Sequence, residues 1–383
     1  MPAHADPLVY VTEKHGNDVT VIDAATNMVT ADVTVGDSPS GVAVSPDDSV
    51  VYVVNAGDKS NNVSVIDVSM EQGMGTIPVG KQPQAVVFRP DGAVAYVSDT
   101  GSNTISVINT ATAALSGSIG VGKSPAGLAL TPDGRFLYVT NAQNLNAPTA
   151  GTVSVVNTKT NNVDSEVKVG NNPFAIAITA DGTSAYVVNS NSLNTIASGD
   201  VSVIDIASNT VVATIPVGQN PLGVAITPDS RTAYVTDFTD DTVHVIDTAS
   251  RTVTTTVKVG KGPLGIAITP DGHFAYVANR QPFSGFAERG DVSVIDTTQN
   301  RVVATVPVGA NPTSVAIGAH RICPGDCNGD GMVGIDELVL AVNIALGSSR
   351  VAQCPAADPS GDGSVSIDEL LAVVNASLVG CPS

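Results

Sequence analysis

Tryptophan is absent from the 383 residues, and aromatic side chains make up only 4%. A core of stacked rings is excluded, so Val, Ile and Ala must do the packing. Positive charge is scarce: 17 Lys and Arg stand against 36 Asp and Glu, for a net charge of −19. The cations are scattered singly, and a nucleic-acid partner, which needs clustered cations along its phosphates, is not expected. No run of about 18 apolar residues occurs, so no transmembrane segment is expected. No cysteine precedes Cys323. No Gly-x-Ser-x-Gly elbow, phosphate loop or Cys-x-x-Cys-His haem site occurs, which removes the usual nucleophile, nucleotide and haem signatures.

What is present is a repeat. Tyr-Val recurs at Tyr10, Tyr52, Tyr96, Tyr138, Tyr186, Tyr234 and Tyr276, at spacings of 42, 44, 42, 48, 48 and 42. Each copy continues into a Val-Ser-Val-Ile-Asp-like stretch and closes on Val-Gly-x-x-Pro. A fixed period of this length, with several short apolar runs per copy, is the mark of a propeller blade. In the copy around Tyr276, residues 265–269, 274–278, 291–296 and 302–306 read as four strands rich in Val, Ile, Thr and Tyr. Pro270-Asp271-Gly272 marks a tight turn, because Pro presets one dihedral and Gly accepts positive φ.

One such sheet cannot cover both its faces, whereas seven packed radially shield one another. The fold class is therefore an all-β seven-bladed β-propeller over residues 8–320, after a tail at 1–7, with a small α calcium-binding module over 323–383. The chain enters in a second strand at 8–13 and leaves in a first strand at 314–318. That phase predicts a closed ring in which the last strand completes the first blade.

Loop lengths single out one face. The stretch from each Tyr to the strand-three Asp or Asn is shortest from Tyr10 to Asp23, Tyr96 to Asn109 and Tyr234 to Asp247. It is clearly longer from Tyr138 to Asn157, Tyr186 to Asp205 and Tyr276 to Asp296. The insertions Ala142–Gly151, Ser190–Gly199 and Arg280–Gly290 fall between strands two and three, on the face that also carries the Val-Gly-x-x-Pro links. Insertions gathered on one face mark a binding face. The third carries Arg280, Phe283, Phe286 and Arg289, and the neighbouring links carry Phe174, Leu222 and Leu264 after their prolines. These seven are the candidate ligand-binding residues: an apolar patch with cationic rims, suited to a glycan or a small molecule. The residues after Tyr-Val (Glu13, Asn55, Asp99, Asn141, Asn189, Asp237 and Asn279) recur once per blade, which fits turn capping better than chemistry. No catalytic residue is assigned.

From Ile322 onward the character changes. Asp326, Asn328, Asp330, the Met332 carbonyl and Glu337 fall at positions one, three, five, seven and twelve of a calcium loop, with Gly331 at the sharp turn. A second copy starts at Asp358 and continues through Ser360, Asp362, Ser364, Ser366 and Glu369. Two Ca2+ ions are expected. Each loop runs into an apolar helix, with Leu338, Val342 and Ala345/Leu346 on one face and Leu370, Val373/Val374 and Ser377/Leu378 on the other copy's. All four cysteines (Cys323, Cys327, Cys354 and Cys381) lie here. An even count in a small loop-rich module points to two disulfides and an oxidising compartment. Three pairings are possible, and Cys327–Cys354 with Cys323–Cys381 is preferred. Ala3-His4-Ala5 resembles the tail of a signal-peptidase site, so a signal peptide is expected to have preceded this chain.

On Tyr52-Val53-Val54-Asn55, Val63-Ser64-Val65-Ile66-Asp67 and the run from Pro263 to Gly272, residues 8–320 resemble the YVTN family of seven-bladed propellers. That resemblance implies a secreted, periplasmic or cell-surface binding scaffold. Residues 323–383 resemble a type I dockerin, which implies calcium-dependent docking to a cohesin-like or unknown protein. They depart from it at position twelve, with Glu337 and Glu369 for Asp, and at positions ten and eleven, with Ile335-Asp336 and Ile367-Asp368 for the cohesin-reading Ser/Thr pair. The leading expectation is a secreted or surface binding and scaffold protein. The alternatives are an extracellular hydrolase or lactonase using acids around the central channel, and a structural cell-envelope protein.

Overall fold

A computed structural model describes residues 7–57, 60–143, 149–191, 198–280, 289–318, 325, 327, 333–357 and 364–379. The propeller has seven antiparallel four-stranded sheets, here blades I–VII. Blade II runs outward through Pro39–Val44, Val50–Asn55, Asn62–Asp67 and Gln72–Pro78. Blades III to VII repeat that order, starting from the inner strands Pro83–Phe88, Pro125–Leu130, Pro173–Ile178, Pro221–Ile226 and Pro263–Ile268. Blade I is composite. Its inner strand is Pro312–Ile317, its others are Leu8–Glu13, Asp18–Asp23 and Met28–Thr34, and Val9, Tyr10 and Val11 pair with Ile317, Ala316 and Val315. The first and last strands of the propeller thus share one sheet, which closes the ring without an open seam.

The second strands explain the composition. In Leu8–Glu13 all six residues are buried, so both faces of the sheet are covered. Outer strands are mostly exposed, as in Thr252–Lys258, which is filled by Thr. The core therefore lies between blades. Val9, Val11 and Ile22 of blade I pack with Tyr276, Ala278, Val292 and Val294 of blade VII, and each adjacent pair of blades shares such a layer. β-Branched side chains fit these flat layers, with few rotamers to lose on burial.

Each repeated tyrosine is buried, yet several of its hydroxyls reach the next blade. Tyr138 Oη donates to Asn209 Oδ1, Tyr186 Oη to the Thr248 carbonyl and Tyr234 Oη to Asn300 Oδ1. Tyr276 Oη donates to Asn27 Oδ1 (2.8 Å), across the closing seam. Asn27, Asn209 and Asn300 sit at the left-handed position of the turn before an outer strand, which Asn tolerates. One repeated residue thus supplies apolar packing at its ring and register at its tip.

In the C-terminal module, helix α1 spans Ile335–Ala345 and α2 spans Ile367–Val379, with 3-10 turns at Val351–Gln353 and Pro355–Ala357 between them. Cys327 and Cys354 form a disulfide; Cys323 and Cys381 lie outside the described residues. The buried face of α1 is turned from the one read from the sequence, whereas on α2 Val373 is buried as read and the face is extended to Ala376. Ala341 and Ile344 of α1, and Val373 and Ala376 of α2, pack with Cys354, Ala356 and Ala357. Leu338 and Leu370 sit at the edge of that cluster, while Leu346 and Leu378 are about three-quarters exposed, at 73% and 76%. The small residues of the connecting turns let the helices approach on their Ala faces, and the larger leucines are displaced outward.

Candidate functional site

Of the residues that end the second strands, Asp237 caps its turn as expected, its Oδ1 accepting the Asp240 amide (3.3 Å), but the group as a whole does something further. Glu13, Asn55, Asp99, Asn141, Asn189, Asp237 and Asn279 are all buried. Their side chains cross to the third strand. Asn55, Asn141 and Asn189 donate Nδ2 to the hydroxyls of Ser64 (2.9 Å), Ser154 (2.9 Å) and Ser202 (2.8 Å). Asp99 Oδ2 instead accepts from Ser106 Oγ (2.8 Å). Where it is seen in full, the same serine accepts the amide of the link from the preceding blade: Gly36 N on Ser64, Gly80 N on Ser106 and Gly260 N on Ser293. Blade VI uses His244 instead, whose Nε2 accepts from Gly218 N (3.1 Å) beside Asp237 Oδ2 (3.3 Å). This clasp explains the glycine of Val-Gly-x-x-Pro. A Cβ on Gly170 would lie 2.7 Å from Asn189 Cγ.

Two clasp positions hold acids whose burial shows in their titration. Burial pushes the Asp99 carboxyl up to about 6 against the hydrogen bonds from Ser106 and Thr104. Burial likewise pushes Glu13 up to about 7, while bonds from Thr20 and the Gly309 amide pull it down. These acids belong to the blade joints, and none of them lines the opening described next.

The inner strands meet closely around the axis. A Cβ on Gly41 would stand 2.7 Å from the Gln84 carbonyl oxygen, and one on Gly265 would stand 2.6 Å from Ser314 Cα. At one end the residues just after the inner-strand prolines and just after the second strands surround a cavity of 630 Å3. Phe174, Leu222 and Leu264 stand on blades V, VI and VII, and Phe238, Lys14 and Arg280 join them. Arg280 is the first residue of the third insertion, so this opening lies on the face that carries the insertions. Four of the candidate residues are thus brought together: Phe174, Leu222, Leu264 and Arg280. Arg289 is exposed at the start of its strand, opposite Ala310, and is not in the lining. Phe283 and Phe286 lie outside the described residues.

Lys14, Phe238 and Asn311 were missed from the sequence. Lys14 and Phe238 occupy the same repeat position as Arg280, directly after the second strand, and aligning the seven copies column by column singles them out. Asn311, buried in the closing link, ties the cations together. Its Oδ1 accepts from Arg280 Nε (2.9 Å) and its carbonyl accepts the Lys14 amide (3.1 Å). Burial holds the Lys14 ammonium below its ordinary value, and nearby Arg280 adds to that. No Asp, Glu or His is among the described lining residues.

In the C-terminal module four candidate calcium residues are described. Glu337 is only 4% exposed, and its carboxylate accepts the amides of Cys327 and Gly334, each at 2.8 Å. Glu369 Oε2 accepts the amide of Ser366 (2.7 Å). Each glutamate therefore turns back from the first helical turn onto its own loop, a geometry that suits position twelve of a calcium loop and also caps the helix. Ser364 and Ser366 immediately precede α2. Asp326, Asn328, Asp330, Met332, Asp358, Ser360 and Asp362 lie outside the described residues.

No protein-family model matches the chain. Thirty-eight residues are 58% identical to the PE-PGRS family protein PE_PGRS18 of Mycobacterium tuberculosis (strain ATCC 25618 / H37Rv), covering 10% of this chain and 8% of that protein. The chain thus spans less than a tenth of that relative. Among solved structures, Kuenenia stuttgartiensis hydrazine synthase is similar with a TM-score of 0.66 and 26% identity, over 75% of this chain and 91% of that one. The dihydro-heme d1 dehydrogenase NirN, solved in complex with DHE, gives 0.60 and 15%, over 82% and 76%. A functionally unknown protein from Desulfotomaculum acetoxidans DSM 771 gives 0.67 and 17%, over 81% and 98%. The last two likenesses concern the fold alone. No helix among the described residues is long and apolar enough to cross a membrane.

Proposed function

We propose that this chain is a secreted or cell-surface binding and scaffold protein. Its propeller presents a ligand face, and its C-terminal module docks a protein partner when loaded with calcium. The observation that carries the reading is a duplicated exposed stripe. Ile335 and Val339 on α1 and Leu346 at its C-terminal end are exposed at 83%, 52% and 73%, and their counterparts in the second copy, Ile367, Leu371 and Leu378, at 80%, 54% and 76%. Apolar side chains held out of a module that buries the smaller Ala341 and Ala376 are a cost unless a partner covers them. The departure of positions ten and eleven from the dockerin pattern fits a partner other than a standard cohesin. Calcium would be held by Asp326, Asn328, Asp330, the Met332 carbonyl and Glu337 in one loop, and by Asp358, Ser360, Asp362, Ser364, Ser366 and Glu369 in the other. The ion supplies charge compensation that lets these acids converge, and so couples the loops to the helices.

Calcium titration of the full chain by calorimetry tests the metal: two ions are expected, Glu337→Gln and Glu369→Gln each removing one. A flat titration overturns the calcium reading. For docking, surface-fraction proteins should be retained by the calcium-loaded chain and released by chelator or by the pair Ile335→Glu and Ile367→Glu. Retention indifferent to both overturns it.

A further inference from the structure

The seven blades are copies, so an equivalent position that differs between them reflects a demand on that blade alone. After the inner-strand proline, blades I, II and III carry Thr313, Ser40 and Gln84, whereas V, VI and VII carry Phe174, Leu222 and Leu264. One side of the mouth is therefore polar and the other apolar. One level further out, Phe238 stands on blade VI, Arg280 on VII and Lys14 on I. Two basic groups thus adjoin the apolar arc, in a chain of net charge −19.

Their placement is built. Asn311 holds the Arg280 guanidinium through its side chain and the Lys14 backbone through its carbonyl, and it is itself 8% exposed. Lys14 is half-buried, and its ammonium makes no hydrogen bond or ion pair among the described residues. Keeping the Lys14 ammonium half-buried costs free energy that an anion beside it would recover. The volume of 630 Å3 suits a compact organic molecule.

We propose that the mouth binds an organic anion, its apolar body on Phe174, Leu222, Leu264 and Phe238 and its acidic group between Lys14 and Arg280. This rests on the reading of the propeller face as a binding platform. The acidic group is a carboxylate or sulfonate on a flat apolar frame.

Two fluorescent probes with the same ring system test it: anilinonaphthalene sulfonate, an anion, and phenylnaphthylamine, which lacks the charge. Titrated into the full calcium-loaded chain, the sulfonate should fill one site at least about tenfold more tightly, as a single charged contact of about 1.4 kcal/mol or more requires. Lys14→Gln should bring the two probes together, Lys14→Arg should keep them apart, and Phe174→Ala should weaken both. Lys14→Met, which keeps the apolar stem, serves if the Gln variant melts early. Equal affinities, or a sulfonate affinity unmoved by Lys14→Gln and Lys14→Met, overturn the anion inference. Phe174→Ala would then still report on the platform. Failure of both probes to bind, or indifference of both to Phe174→Ala, overturns the platform reading and the inference with it.

Discussion

Replacing Asp99 by Asn should stabilise the propeller at neutral and alkaline pH and do little in acid. Asp99 is fully buried, accepts from Ser106 and Thr104, and has a second oxygen, Oδ1, with no partner among the described residues. Burial raises its carboxyl from 3.8 to about 6. An acid raised in the folded state reverses the usual carboxylate behaviour: stability is fully present below pH 3.8 and is lost as pH climbs through about 6. At about 1.4 kcal/mol per tenfold, the rise corresponds to about 3 kcal/mol lost above pH 7. The amide removes that loss, and blade IV supplies its template. There Asn141 donates Nδ2 to Thr152 Oγ1 (3.1 Å) and Ser154 Oγ (2.9 Å), the counterparts of Thr104 and Ser106. The hydroxyls need only rotate, so a net gain of about 1–3 kcal/mol is expected at pH 8, after solvent relaxation is discounted. With an unfolding entropy of about 2.1 cal/mol/K per residue, that is a rise of roughly 2–5 °C in Tm. Circular dichroism melts at pH 4, 6 and 8 measure it. A variant no more stable at pH 8 than at pH 4, relative to the parent, would refute the reasoning.

Glu13, raised from 4.5 to about 7 at the closing seam, follows the same sign over a higher window: its contribution is complete below pH 4.5 and lost as pH passes about 7. Glu13→Gln should therefore raise Tm at pH 8.5 and leave it nearly unchanged at pH 4.5, and a pH-independent effect would count against the seam carboxyl. Gly170→Ala places a methyl 2.7 Å from Asn189 Cγ and should cost about 1–3 kcal/mol by overpacking; an unchanged urea midpoint would show that the clasp yields freely. The Cys327–Cys354 bridge spans 27 residues, and Cys354→Ser should cost the C-terminal module about 3–4 kcal/mol. The helical signal near 222 nm should then melt earlier while the β signal holds, and joint melting would contradict separate folding of the two modules. Tyr276→Phe removes the seam hydroxyl bonded to Asn27 and should cost about 1 kcal/mol, read in the same melts.

Much was legible in the order of residues because the propeller is periodic. Tyr-Val, Val-Ser-Val-Ile-Asp and Val-Gly-x-x-Pro fix strands, turns and count, since each copy faces the same local demands of alternation, β-branching and turn chemistry. The two apolar helices that start at Ile335 and Ile367 are local in the same way. What only the tertiary structure decided depends on neighbours far along the chain. Asn189 joins its own Ser202 to a fold that leaves no room for a side chain at Gly170, and Lys14 meets Arg280 because the last strand lies beside the first. The buried face of α1 turned for a similar reason: hydrophobicity marks a stripe, but the small residues packed opposite decide which part of it is covered. Sequence thus determined what each segment is, and three-dimensional closure decided which side chains confront one another, because a ring brings together residues that no local pattern relates.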